Sequence, residues 1–247
     1  MANTILGVDI GGSGIKGAPV DLTIGDFAAE RVRLPTPQPA DVESVVKAAG
    51  EVVRNFDDAT HIGVTFPGVV VGGVVRTAAN MHKSWIDAPA ADLFAAEFGR
   101  PVVVLNDADA AGIAEVTYGV GKGRAGTLLM LTFGTGIGSA LFLDGRLVPN
   151  TELGHLELNG KDAEDRASDR ARQDDDLSWS AWAKRVQEYL EHLELLLWPD
   201  LFVIGGGVSK KAENYLPHVQ ISTPIVPATL QNNAGIIGAA IAAVAAR

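Results

Sequence analysis

Residues 4–17 read TILGVDIGGSGIKG. Ile5, Leu6 and Val8 make an apolar strand and Asp9 follows near its end. Gly11, Gly12 and Gly14 make a turn, and Ile15 and Lys16 resume the chain beyond it. Glycines at such a corner let backbone N–H groups approach a phosphate closely, and Lys16 adds a point charge. A plain hairpin turn has the same composition, and one glycine corner does not choose between the two readings. Two named phosphate loops are excluded. The dinucleotide-binding fingerprint needs a helix to open at its last glycine, whereas Gly17 and Pro19 oppose a helix interior. The nucleotide loop that ends in Gly-Lys-Ser/Thr is absent. What remains is a strand, an acid, a glycine corner and a return strand.

Around this stretch lie 247 residues, 47% of them hydrophobic, enough for one large domain or two smaller lobes with cores. No uncharged apolar run of about 18 residues occurs, so no membrane span is expected. The start lacks basic residues before an apolar run, so no secretory leader is expected. The chain has no cysteine, which removes disulfides and thiolate metal sites and fits a reducing, cytoplasmic setting. Thirty acidic against 20 basic residues give a net charge of −10. That field disfavours nucleic-acid partners, and a polyanionic substrate needs a local basic path.

The pattern predicts strands at 15–20 and 28–34, then a helix capped by Asp41 and running to Asn55. A strand at 61–66 stops at Pro67-Gly68, and 69–76 reads as a hairpin turning at Gly72-Gly73. An irregular loop at 80–85 and a short helix at 89–98 follow. A buried strand, 101–105, ends at Asn106-Asp107, where a helix begins. Residues 127–133, the turn Gly134-Thr135-Gly136 and residues 137–143 repeat the opening plan of strand, glycine turn, strand. A charged helical stretch at 162–172, a solvated acidic loop at 174–176, and a long helix at 178–198 ended by Pro199 come next. Its Trp179, Trp182, Val186, Tyr189, Leu190, Leu193 and Leu197 read as core. A strand at 201–204, a turn at Gly205–Gly207, a helix after Ser209 and an Ala-rich helix from 234 complete the chain. The lobes divide as 1–105, completed by the helix 234–247, and 106–233.

Five stretches stand in the order found in the ROK family of sugar kinases and repressors: Asp9–Gly17, Asn106–Ala108, Leu131–Ser139, Glu152–His155 and Ile204–Ser209. Thr65–Val69 and Asn80–Trp85 resemble that family's sugar-side loops, so the resemblance covers essentially the whole chain. Val74–Asn80, Ser84–Ile86 and Trp198–Phe202 are similar to its polyphosphate-using glucokinase and glucomannokinase branch.

The resemblance implies an α/β, actin-like (ribonuclease H-like) two-lobed fold. It implies phosphoryl transfer from inorganic polyphosphate, with ATP as a second donor, to the 6-hydroxyl of glucose and of mannose. It makes Asp107 the catalytic base; spacing alone leaves an ordinary helix N-cap open for that residue. Gly68, Asn80, Asn106, Glu152, His155 and Glu164 are implied sugar contacts, with Glu157 as the substitute for Glu164. Gly11, Gly12, Ser13, Gly14 and Lys16 in one corner, and Thr132, Gly134, Thr135 and Gly136 in the other, are implied phosphate contacts. Gly206, Gly207 and Ser209 form the nucleotide-side turn, or a simple strand-to-helix turn. Asp9 is implied to hold Mg²⁺ through water.

In the family the His155 position usually joins a Cys-rich loop on zinc. Without cysteine no zinc is expected, and the 162–172 segment has to replace the metal as scaffold. Ser84 and Trp85 either border the sugar or pack. Arg76, Lys122, Arg124 and Lys161 are loose candidates for a polyphosphate path, or surface charges. A strictly ATP-dependent hexose or amino-sugar kinase and a non-catalytic sugar-sensing regulator remain as alternatives. The regulator needs a helix-turn-helix, for which a phosphate strand beginning by Thr4 leaves no room. A monomer and a homodimer are equally compatible with the sequence.

Overall fold

A computed structural model describes residues 4–79 and 81–245, so Asn80 lies outside the described residues. The chain divides into two compact units: Met1–Ala114 with Asn233–Arg247, and Glu115–Asn232.

The first unit opens with β1 (Thr4–Gly11) and β2 (Gly14–Asp21), an antiparallel hairpin in which Asp9 lies opposite Lys16 and Gly11 opposite Gly14. The expected strand at 28–34 is instead two short ones, β3 (Asp26–Phe27) and β4 (Val32–Leu34). Both pair with β2 along the same edge, and the chain bulges out between them. Helix α1 (Val42–Val53) starts where Asp41 accepts the Ser44 N–H at 2.9 Å, and it buries Val45, Ala49, Val52 and Val53. Next come β5 (Ala59–Phe66), the small hairpin β6 (Val70–Val71) and β7 (Val74–Val75), and α2 (Ala90–Phe98). Strand β8 (Val102–Asn106) then runs directly into α3 (Asp107–Thr117). The sheet order is β3-β2-β1-β5-β8 with β4 also on β2, and β1, β5 and β8 are parallel.

The unit boundary falls inside α3, between Ala114 and Glu115, rather than before it. Asn106 and Asp107 therefore belong with the first sheet, because a strand and the helix continuing it share one core.

The second unit repeats the plan. Strands β9 (Thr127–Phe133) and β10 (Ile137–Leu143) form an antiparallel hairpin, and β11 (Arg146–Val148) pairs with β10. The small hairpin β12 (Glu157–Leu158) and β13 (Lys161–Asp162) precedes α4 (Ala163–Ala167) and α5 (Asp169–Asp174). The charged stretch is thus not one helix. Ser168 breaks it by capping α5, accepting the Ala171 N–H at 3.1 Å. The acidic run is tied down as well: Asp174 pairs with Arg170 at 3.1 Å and Asp175 with Arg185 at 2.7 Å.

Helix α6 (Trp179–Leu197) follows, then β14 (Leu201–Gly206), the short α7 (Ala212–Tyr215) and β15 (Ile225–Pro227). The helix expected after Ser209 is only a 3₁₀ turn, Gly207–Lys211, followed by four α-helical residues. Pro217, which has no N–H to donate, stands in the next turn and stops it. The order β11-β10-β9-β14-β15, with β9, β14 and β15 parallel, matches that of the first sheet.

The last helix, α8 (Ala234–Ala245), returns to the first unit. A Cβ on Gly7 would collide with the Ile236 carbonyl, and one on Gly63 with the Ala239 carbonyl. Because Gly7 and Gly63 are register partners on β1 and β5, the helix backbone rests directly on the middle of the sheet. Among the described residues, no helix is long and apolar enough to cross a membrane.

Candidate active site

In the first unit the candidate residues gather where the parallel strands end. Lys16 Nζ donates to Asp9 Oδ2 at 2.9 Å, and Thr65 Oγ1 donates to Asp9 Oδ1, also at 2.9 Å. Both contacts follow from register, since Asp9 faces Lys16 on β2 and Thr65 on β5. The start of α8 adjoins the same carboxylate: a Cβ on Gly235 would lie 3.3 Å from Asp9 Oδ1. The corner itself is short. Gly12 and Ser13 are exposed between Gly11 and Gly14, and Thr36 Oγ1 fastens the Gly11 carbonyl at 2.5 Å.

At the end of β8, Asn106 is the residue that caps α3. Its Oδ1 accepts the Asp109 N–H at 3.0 Å and its Nδ2 donates to the Gly68 carbonyl at 3.1 Å. This settles the local question about Asp107. The cap of α3 is its neighbour, and Asp107 is the first residue of the helix, half-buried, with Oδ1 taking the Ala108 N–H at 2.8 Å. The Gly68 loop is held to this point by the Asn106 bond and by Thr77, whose Oγ1 accepts the Val69 N–H at 2.9 Å.

Trp85 does not border a sugar. It is fully buried, 4.7 Å from Phe66 and 5.9 Å from Phe94 between ring centroids, and its Nε1 donates to the Ala40 carbonyl at 3.1 Å. It supports Phe66, the residue preceding Pro67-Gly68. Arg76 pairs with Asp87 and is not available as an unpaired cation.

In the second unit Thr132, Gly134, Thr135 and Gly136 form the β9–β10 corner, closed by the Gly134 N–H on the Gly136 carbonyl at 3.0 Å. Gly206 and Gly207 stand beside it, because Gly206 is the register partner of Phe133 on β14. Gly206 has φ +77°, and a Cβ there would strike the Phe133 backbone, so only glycine fits. Ser209 is buried and its Oγ donates back to the Gly206 carbonyl at 2.8 Å. Its hydroxyl thus serves the turn.

Glu164 joins this corner to the Glu152–His155 motif. Its Oε2 accepts the Ile137 N–H at 3.0 Å, and a Cβ on Gly136 would overlap that oxygen. Its Oε1 lies 3.9 Å from His155 Nδ1, and Glu152 Oε2 lies 3.6 Å from His155 Nε2. The turn that aligns Glu152 with His155 is 3₁₀, Leu153–His155, rather than α-helical. Glu157 instead lines a separate groove with Leu158, Asn159, Glu188 and His192. Of the two carboxylates weighed from sequence, Glu164 is therefore the one beside His155.

Asp162 was not singled out from sequence, yet it makes the shortest contact with His155, Oδ2 to Nδ1 at 2.9 Å. A signal for it exists: Asn159-Gly160 is a dipeptide favoured in two-residue hairpin turns. That hairpin pairs Asp162 with Glu157. Asp162 fixes which ring nitrogen of His155 carries the proton toward it. The hydrogen bond to Asp162, aided by the charges of Glu164 and Glu152, raises the imidazole above its ordinary range against the opposing effect of burial. Burial raises the Glu152 carboxyl, with His155 pulling it back and Glu164 pushing it further up.

Glu115 also escaped notice. It is fully buried and takes the Leu230 N–H at 2.7 Å, the Val120 N–H at 3.1 Å and the Thr229 hydroxyl at 3.2 Å. It pins the end of α3 to the segment that leads into α8. Among the described residues, no group of three or more His, Cys, Asp or Glu is placed to hold a metal ion.

The chain is similar to several known proteins. A ROK family profile matches residues 5–168. A polyphosphate glucokinase of Mycobacterium tuberculosis is 53% identical over 240 residues, covering 97% of this chain and 91% of that protein. The crystal structure of an inorganic polyphosphate/ATP-glucomannokinase from Arthrobacter sp. strain KM superposes with a TM-score of 0.95. It is 52% identical and covers 99% of this chain and 100% of that one. A ROK family glucokinase from Streptomyces griseus, solved with glucose and AMPPNP, shares the fold at a TM-score of 0.85 and 24% identity, covering 98% of this chain and 100% of that one.

Proposed function

The chain belongs to the ROK family and has the α/β, actin-like fold of its sugar kinases; from that premise we propose that it transfers a phosphoryl group from inorganic polyphosphate to the 6-hydroxyl of glucose. The 53% identity to a polyphosphate glucokinase, over 97% of this chain, carries this reading. The local geometry supports it. Asn106 caps α3, and the Asp107 carboxylate stands on the first turn of that helix. In this reading Asp107 accepts the proton of the 6-hydroxyl as the new O–P bond forms and the bond to the shortened polyphosphate breaks. Asn106 keeps a second Nδ2–H for a neighbouring hydroxyl. Glu152, His155 and Glu164 hold further hydroxyls, each of which needs a defined partner once water is excluded.

Each glycine corner, taken by itself, suits the approach of backbone N–H groups to phosphate oxygens. Magnesium, which favours oxygen ligands and keeps several waters, fits a single carboxylate such as Asp9 together with substrate phosphates. It would neutralise charge on the transferring group. ATP as a second donor and mannose as a second acceptor are the finer parts of the proposal.

A matrix of initial rates tests it, with glucose, mannose and an amino sugar against polyphosphate and ATP, each with and without Mg²⁺. The expected result is glucose 6-phosphate from polyphosphate, dependent on Mg²⁺. Turnover with ATP alone would remove the donor assignment, and turnover of the amino sugar alone would remove the acceptor.

A further inference from the structure

We propose that Arg33 is a binding residue for the phosphoanhydride chain of the donor, a role that rests on the phosphotransferase reading above. Arg33 lies on β4 directly opposite Lys16 on β2, and Lys16 lies opposite Asp9 on β1. Directly opposed residues of antiparallel strands project from the same face. Asp9, Lys16 and Arg33 therefore form a row across three strands, one acid and two bases. The acid is matched by Lys16 at 2.9 Å, which leaves Arg33 as the surplus positive charge.

The guanidinium is laid against the glycine corner. Its Nη2 donates to the Ser13 carbonyl at 3.2 Å. A Cβ on Gly14 would sit 2.9 Å from its Nε and 3.0 Å from its Nη2, so the group occupies the space that a side chain at 14 would take. Arg54, Arg76, Arg166, Arg170, Arg172 and Arg185 each pair with a carboxylate. Among the described residues Arg33, like Arg31, Arg100, Arg124 and Arg146, has no carboxylate within ion-pair distance, and of these it is the one whose guanidinium lies on Gly14 of the β1–β2 corner, in a chain whose net charge is −10. A planar fork of five donors with one of them in use suits bidentate capture of phosphate oxygens. Polyphosphate and ATP both present that chemistry.

Initial-rate kinetics of the wild type, Arg33→Gln and Arg33→Lys, with polyphosphate, ATP and glucose varied separately, test the role. The residue is exposed, and thermal unfolding of each variant checks that the fold is intact. In Arg33→Gln the KM for the donor rises about tenfold or more, as expected for a lost charge-assisted contact. Arg33→Lys recovers part of it, and the glucose KM stays near the wild-type value.

A donor KM that does not move, or a glucose KM that rises by the same factor, overturns the proposal. Wild-type turnover with ATP alone defeats the polyphosphate reading but not this one, which the ATP KM then decides by the same criterion. If neither donor turns over, calorimetric binding of tripolyphosphate decides: weaker binding in Arg33→Gln supports the role, and equal or undetectable binding in both proteins overturns it.

Discussion

The two glycine corners stand at equivalent points of two sheets with the same strand order, yet their surroundings differ. The β1–β2 corner is flanked by Asp9, Lys16 and Arg33, with the guanidinium lying on Gly14. The β9–β10 corner is flanked by Glu164, whose carboxylate takes the Ile137 N–H and leads on to His155 and Glu152. The first corner is flanked by two bases beside one acid, and the second by carboxylates and an imidazole. The same strand order supplies the turn twice, and the side chains that reach it differ in charge.

An aromatic brace underlies each unit's strand ends. Trp85 packs on Phe66 at the end of β5. Trp182 meets Phe133 at 5.6 Å, edge to face, and donates to the Ala167 carbonyl at 2.9 Å. The second brace therefore holds the glycine corner and the helix that carries Glu164 together.

Four substitutions sharpen or break this comparison. The largest effect is expected from the braces: Trp182→Ala and Trp85→Ala each lower stability by about 3–5 kcal/mol, because both side chains are fully buried. Chemical denaturation measures this, and a loss below about 1 kcal/mol would show that these side chains do not brace the strand ends.

Glu164→Ala comes next. It leaves the Ile137 N–H without its partner, which costs about 1–3 kcal/mol, and it should raise the KM for glucose more than that for the donor. The reverse pattern would remove Glu164 as a sugar contact.

The smallest effect is on titration. Asp162→Asn removes the foremost cause of the raised His155 pKa, so the imidazole should titrate closer to its ordinary range of about 6.5. A raised folded pKa stabilises below the unfolded value, and that contribution is lost as pH rises through the folded one. In the Asn variant the loss should therefore come at lower pH. NMR titration of the ring protons reads it directly, and an unchanged midpoint would remove Asp162 as the partner that sets His155.

Much of this was legible in the sequence because it is local. The β1–β2 hairpin follows from apolar residues on either side of Gly11, Gly12 and Gly14, and α1 from Asp41 and its valine spacing. The repeat of strand, glycine turn and strand is visible in 127–143. What escaped depends on partners distant in sequence. Arg33 looks like any strand charge until β4 pairs it with Lys16. Asp107 looks like a helix cap until Asn106 is seen bonded to both Gly68 and Asp109. Trp85 reads equally as platform or packing until Phe66 and Phe94 close around it. Glu164 was separable from Glu157 only once the Asn159-Gly160 hairpin turned the chain. That turn signal was present in the sequence and went unused.

The central claim is that Asp107 takes the hexose proton during transfer from a phosphate chain. Comparing Asp107→Asn with the wild type tests it most directly, with kcat for glucose phosphorylation measured beside calorimetric glucose binding. The account predicts a fall in kcat of about 10²-fold or more, with glucose affinity changed by no more than a few-fold. Retention of near-wild-type kcat in the Asn variant would contradict it.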